Sequence, residues 1–420
     1  MSDTRTTPAA GPWVTFRESP PAVRFVLVGV AVNQLGAFLQ AFLVLFLVHR
    51  GFSDAQAGLA LGTYGAGTVI GVLFGGRLTD RLEPRTTIIM SMLGAAATTV
   101  TISFLAAYPA ILVAVLLAGT MTQAYRPAAA TLLTGMVPPS RQVMVMAMNR
   151  LALNLGMVIG PLAAAALVSV SWSLIFWVDA ATSLAYAAVA VFMLPVARCR
   201  GEGGRVDGVR DTTTYRVVLG DRRFVVFLAS MFTNAVVHIQ ALAVLPVTLR
   251  DAGYPTVLYS AVLVLGTGLV VTCELLVTRA TQRWPAHRAA ALGSLLLGVG
   301  MLGYGVRGGI VLVVVAAVVN EVGQIIGGPT VFAWPAKAAP DGMAGRYLGS
   351  ALAMFGLGQA VGSLAGLFAY EQLGRNFWWL CGALGVFSAT ACRYSMRPQP
   401  AGVAEGAAED AVQLEPSFAA

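Results

Sequence analysis

Apolar runs of about 20 residues or longer recur twelve times along this 420-residue chain, and few features restrict a fold as much. They fall at 23–48, 57–76, 86–106, 109–134, 142–170, 172–196, 222–249, 256–278, 287–306, 308–334, 344–370 and 376–395. A helix of ~20 residues crosses the ~30 Å hydrocarbon core of a bilayer, and only helices and closed barrels satisfy their backbone there. With 57% hydrophobic and 11% charged residues, the chain has more apolar surface than a soluble core of this size would bury. The expected fold is therefore an all-α membrane protein of twelve transmembrane helices in two pseudo-symmetric six-helix bundles. Its expected divisions are an N-terminal tail (1–22), a first bundle (23–196), a linker (197–221), a second bundle (222–395) and a C-terminal tail (396–420).

Charge fixes an expected orientation. The formal charge of +8 does not line one face of a soluble domain, so it gives no support to nucleic-acid binding. Once the spans are drawn, most arginines fall on one side, among them Arg77, Arg81, Arg85, Arg141, Arg279, Arg283, Arg288 and Arg346. The other side holds Arg50, Arg250, Arg307 and Arg375. The positive-inside rule then puts both termini in the cytoplasm of a multi-pass plasma-membrane protein. The four cysteines have no paired spacing, which gives no disulfide framework and no zinc site.

The stretch from Pro138 to Ala165 is polar at Asn149, Arg150 and Asn154 inside an otherwise apolar span, and it recurs from Pro340 at a constant offset of 202 residues. Gly156 falls on Gly358, Gly160 on Gly362, Pro127 on Pro329 and Gly51 on Gly253. Helix-breaking residues in register across two apolar halves indicate a duplicated bundle, as in secondary transporters. Glycines at 156 and 160 share a helix face and let a neighbouring backbone approach, and Pro161 is expected to bend the helix.

Gly75–Arg85, GGRLTDRLEPR, lies at the end of the second span. It resembles the G-x-L-x-D-R-x-G-R-[KR] loop of the major facilitator superfamily: Gly76, Leu78, Asp80, Arg81 and Arg85 match, while Glu83 and Pro84 depart. In that family the acidic residue is thought to join the two halves through an arginine and a facing helix N-terminus, which makes Asp80 and Arg81 candidate gate residues. Gly156-x-x-x-Gly160-Pro161 resembles the fifth-helix motif of the proton-driven exporters in the family, with Ala164 and Ala165 where its last glycines would stand. The second-half counterpart of the Asp80 loop, Thr278–Arg288, has no matching carboxylate.

Charges at membrane depth cost at least ~2.5–3.5 kcal/mol each, so each needs a partner or a water-filled cavity. Arg126, Arg150, Asp179, Glu274 and Glu321 qualify. The resemblance places the fourth, seventh and tenth helices at a central cavity, which implies a proton-coupling group of Glu321, Arg126 and His238. Arg126 is expected to act on Glu321, a mid-depth carboxylate suited to carrying a proton because burial penalises its charged form. Asp179 on the sixth span is expected to pack helices. Arg150 and Glu274 lie on spans that would face each other between the halves, at similar depth. They are expected to pair and hold the cytoplasmic side shut.

These readings point to a secondary-active transporter, most simply a proton-coupled antiporter for efflux of an amphipathic small molecule, such as a drug or the cell's own metabolite. An importer of a polar nutrient is the alternative, supported by Asn33, Gln34, Gln40, Asn234 and Gln240. A receptor or scaffold that does not transport is the remote one. No phosphate-binding loop, nucleophile constellation or metal cluster stands in the sequence, so neither an enzyme nor a cofactor is expected. The expected partners are a small-molecule substrate, protons and lipid, with the protein a monomer.

Overall fold

A computed structural model describes residues 11–36, 39–168, 170–195 and 215–398. Among them the chain forms twelve spans. Span one is broken into Pro21–Leu35 and Leu39–His49. The first half continues with span two (Asp54–Leu82), span three (Pro84–Phe104), span four (Tyr108–Gly135), span five (Gln142–Val168) and span six (Trp172–Met193). Span seven is broken at Val244 into Arg222–Ala243 and Leu245–Asp251. It leads to span eight (Thr256–Thr281), span nine (Ala286–Gly305), span ten (Gly309–Ala338), span eleven (Ala344–Leu373) and span twelve (Phe377–Ser395).

Spans one and seven differ from the unbroken helices the sequence predicted. Span one breaks where Gly36 lies against span six: a Cβ there would meet the Thr182 hydroxyl at 2.0 Å. In span seven Pro246 follows the break at the first turn of the second helix, where its missing N–H costs nothing. Two short helices, Pro12–Glu18 and Arg216–Gly220, occupy stretches read as tail and linker. They bury Thr15 and Val218 against the ends of the spans. The tail beyond residue 398 and most of the linker lie outside the described residues.

The internal duplication is visible atom by atom. Gly51 and Gly253 follow the first span of each half, and both adopt left-handed φ values of 87° and 79°. Gly156 of span five sits against Gln34 of span one, whose Cγ would lie 2.3 Å from an added Cβ. Gly358 of span eleven sits in the same way against the Phe232 carbonyl of span seven. Pro127 and Pro329 lie inside spans four and ten. The glycine pair of span five thus serves packing within its own half; Gly160 is looser, since an added Cβ there would stand 4.0 Å from the Gln34 carbonyl oxygen. Span five is assigned as one helix through Pro161, so the expected bend does not interrupt it.

Glu83 stands where the resembled motif has glycine, and it adopts φ 85° and ψ 146°, a region that glycine occupies at no steric cost. Pro84 then starts span three with φ already set. The loop has kept a glycine's backbone without the glycine, at a strain of about 1–3 kcal/mol. Glu83→Gly is therefore expected to raise thermal stability by about 1 kcal/mol, read as an upward shift of the melting midpoint in detergent. An unchanged or lower midpoint would show the strain to be absent.

Candidate functional site: a charge cluster between the halves

The described termini lie at one end of the bundle. There Glu18 pairs with Arg141 at the start of span five, and Arg223 donates to the carbonyl of Arg397. The contacts that join the halves gather towards this terminus-bearing end. Asp80, in the last turn of span two, accepts from the Gly345 N–H (2.8 Å) and the Arg346 N–H (3.0 Å) at the start of span eleven. Its Oδ2 also lies 3.6 Å from Arg346 Nε. Free N–H groups and the helix dipole favour an anion at that position. The seam is tight: Cβ atoms added at Gly76 or Gly345 would stand 2.5 Å from each other's carbonyl oxygen. Tyr215, leaving the linker, donates its hydroxyl to the Leu73 carbonyl of span two. Burial, then the charge of Asp80, pushes this phenol up to about 12, so it remains a donor at physiological pH. Arg81 is exposed and makes none of the Asp80 contacts named above, while Arg85 donates to the carbonyls of Ala190 and Val191 at the end of span six.

Deeper in the same end, the second seam carries charge. Arg150 of span five lies with Nε 2.8 Å from Glu274 Oε1 of span eight, the side chains being 14% and 0% exposed. The N–H is not well aimed, and neither Glu274 oxygen has a hydrogen bond among the described residues. The contact is thus an ion pair by distance, with Glu274 depending on Arg150 for charge and not for a directed bond. Arg150 Nη1 also donates to the Gln324 carbonyl of span ten at 3.2 Å. The Gln324 amide in turn reaches Nδ1 of His238 on span seven, whose ring stacks on Phe355. Glu321, one turn before Gln324, packs towards Gly266 of span eight and feels the charges of both Arg150 and Glu274.

Five sequence-predicted residues therefore fall into two contacts and one network: Asp80 at the outer seam, and Arg150, Glu274, Glu321 and His238 at the inner one. Arg126 is the exception. Its expected action on Glu321 is replaced by that of Arg150, because Arg126 belongs to a polar group of the first half. There its charge acts on Tyr125 and Tyr64, and Tyr64, bound to Thr122, also feels Asp179. Depth was readable for Arg126 but the direction of its side chain was not. Gln324 and Gly328 were missed, since an amide and a glycine among many carry no signal until their neighbours are known. A narrow cleft adjoins the network, with Met231, Asn234, Ser294, Gln324, Phe332 and Phe355 among its walls.

The sequence profile of the Major Facilitator Superfamily matches residues 26–363. No curated protein sequence matches the chain. Solved structures of similar fold include a bacterial homologue of the iron transporter ferroportin in an outward-facing state, with TM-score 0.73 and 12% identity over 90% of this chain and 100% of that one. The fucose:proton symporter of E. coli gives 0.72 and 16% over 90% and 99%. A human organic anion transporter gives 0.69 and 14% over 89% and 100%. At such identities the likeness is one of fold.

Proposed function

The chain belongs to the major facilitator superfamily, whose members are transporters and not enzymes, and on that premise we propose that it exports an amphipathic small molecule in exchange for protons. The observation that carries this reading is Arg150, a cation of one half set against Glu274 and near Glu321 of the other. Parting the halves at that end would leave opposite charges buried alone, at a cost of several kcal/mol each. A proton on a carboxylate removes part of that cost. The state of protonation and the closure of this end are then coupled, as alternating access by proton exchange requires.

On this reading the termini are cytoplasmic and the protein lies in the plasma membrane, so the contacts at the terminus-bearing end would close it towards the cytoplasm and protons would enter from outside. The halves 23–196 and 222–395 would be the moving bodies, working as a monomer. The cleft favours amphipathic cargo: Met231, Phe332 and Phe355 supply apolar surface, and Asn234 and Gln324 supply a few fixed polar groups. The same two amides favour a polar-solute symporter as the second reading.

Cells with and without the gene, given a panel of amphipathic dyes and antibiotics with and without an uncoupler, test the proposal. At least one compound should accumulate less in expressing cells, and the uncoupler should abolish the difference. Glu321→Gln should abolish it too, at normal amounts in the membrane. Accumulation that never differs would overturn drug export, and normal proton-driven export by Glu321→Gln would move the carrier role to Glu274.

A further inference from the structure

Arg150 occupies a place that exists because residue 328 has no side chain. A Cβ at Gly328 would stand 1.4 Å from Arg150 Nη1 and 2.6 Å from its Cζ, far inside any non-bonded contact. Its neighbour Gly327 does something different: a Cβ there would meet Cα of Gly293 at 3.1 Å, a contact between spans nine and ten within the second half. Successive helix residues point about 100° apart, so one glycine packs its own half and the next opens a notch to the other half. The second half supplies an acceptor on two sides of the notch, the Gln324 carbonyl one turn away on span ten and Glu274 on span eight. The other titratable groups that feel Arg150 are Glu321 of span ten and His238 of span seven.

We propose that Gly328 is the positioning residue of the gate, a socket in span ten that receives Arg150 from the opposite half and sets its distance to Glu274. The inference rests on reading Arg150 and Glu274 as the gate. It adds that the strength of the gate is set by a missing side chain and not by the charges alone. A methyl group at 328 needs roughly 3.5–4.0 Å to its neighbours, so the guanidinium would have to retreat by about 2 Å. Glu274 has no exposure with which to compensate. Once the end has opened, Arg150 has left the socket and the methyl costs little. The substitution should therefore act on the closed state.

The test measures the gate without needing a substrate. Nitroxide labels are placed on Ser140→Cys and Asp341→Cys, exposed positions of the two halves at the terminus-bearing end, after Cys199, Cys273, Cys381 and Cys392 have been replaced by alanine. Their distance distribution is recorded by double electron–electron resonance across a pH series. Gly328→Ala should raise the ratio of open to closed populations at least about tenfold at the pH where the parent is mostly closed. In an Arg150→Met background the same substitution should change that ratio less than about twofold, because a residue acting through Arg150 has nothing left to act on. An equal shift in both backgrounds would make Gly328 a packing glycine and overturn the proposal, as would an unshifted distribution with Arg150 present. If Gly328→Ala folds only when Arg150 is methionine, the socket is supported. If it folds in neither background, the glycine is structural and the socket is rejected. None of these readings depends on whether any compound is exported.

Discussion

Arg150→Met should lower the melting midpoint and open the terminus-bearing end, while Arg150→Met/Glu274→Leu should melt at or above the parent and still not transport. The single change leaves a carboxylate with no exposure, no hydrogen bond and no cation. Removing one partner of a buried ion pair costs about 3–5 kcal/mol, whereas replacing both by apolar side chains of similar size is often neutral or stabilising. Stability and function would then separate. The apolar pair fills the seam, but Glu321 has then lost the two charges it feels there, so a proton on it no longer acts on the closure of that seam. The exchange Arg150→Glu/Glu274→Arg should recover part of the transport rate, limited by the fit of the longer side chain on span eight. Thermal shift assays in detergent and the label distances at Ser140 and Asp341 read the two arms. A single variant that melts with the parent and stays closed would show that Glu274 does not depend on Arg150.

Much of this was legible in the chain because apolar length and helix-breaking residues survive duplication. The offset of 202 residues located Gly51 and Gly253, whose shared left-handed φ shows that the match was of backbone and not of composition. Arg150 and Glu274 were legible in depth, because depth follows from counting residues along a span. Direction around the helix does not follow from counting. That is why Arg126 was set opposite Glu321 when its charge acts inside its own half, and why the Gln324–His238 contact was not foreseen. The breaks in spans one and seven were hidden because their residues are as apolar as those of an unbroken span, and the reason for the first, Gly36 against Thr182, lies on another helix.

The two seams between the halves are related by the same offset and yet differ in chemistry. Asp80 corresponds to Gln282, Val72 to Glu274, and Leu352 to Arg150. The seam of spans two and eleven is thus packed by glycine and backbone, with Gly349 lying against the Val72 carbonyl, and is latched by one carboxylate near its end. The seam of spans five and eight has no carboxylate at the latch position, and its charge lies deeper. Duplication supplied two corresponding seams, and their carboxylates now stand at different depths, Asp80 near the end of the first and Glu274 inside the second.

The latch on the first seam should be the other large determinant of closure, tested by Asp80→Asn. The carboxylate gives one oxygen to each of two N–H groups, and Oδ2 lies near the Arg346 guanidinium as well. An amide has a single acceptor, so one N–H of span eleven would face an NH2 group in its place. Hydrogen bonds to a charged group contribute about 1.5–3 kcal/mol, and an anion at a helix N-terminus adds about 0.3–1. The open-to-closed ratio should accordingly rise on the order of tenfold to a hundredfold. Asp80→Glu should not rescue it. An added Cβ at Gly345 would already stand 2.6 Å from Asp80 Oδ1, so the seam has no room for one more methylene. Because Asp80 and Arg150 share no partner among the described residues, their effects on closure should add within about 0.5 kcal/mol in the double variant. Label distances at Ser140 and Asp341 decide it: a closed Asp80→Glu protein would show that charge alone makes the latch, and a closed Asp80→Asn protein would show that the glycine seam holds without it.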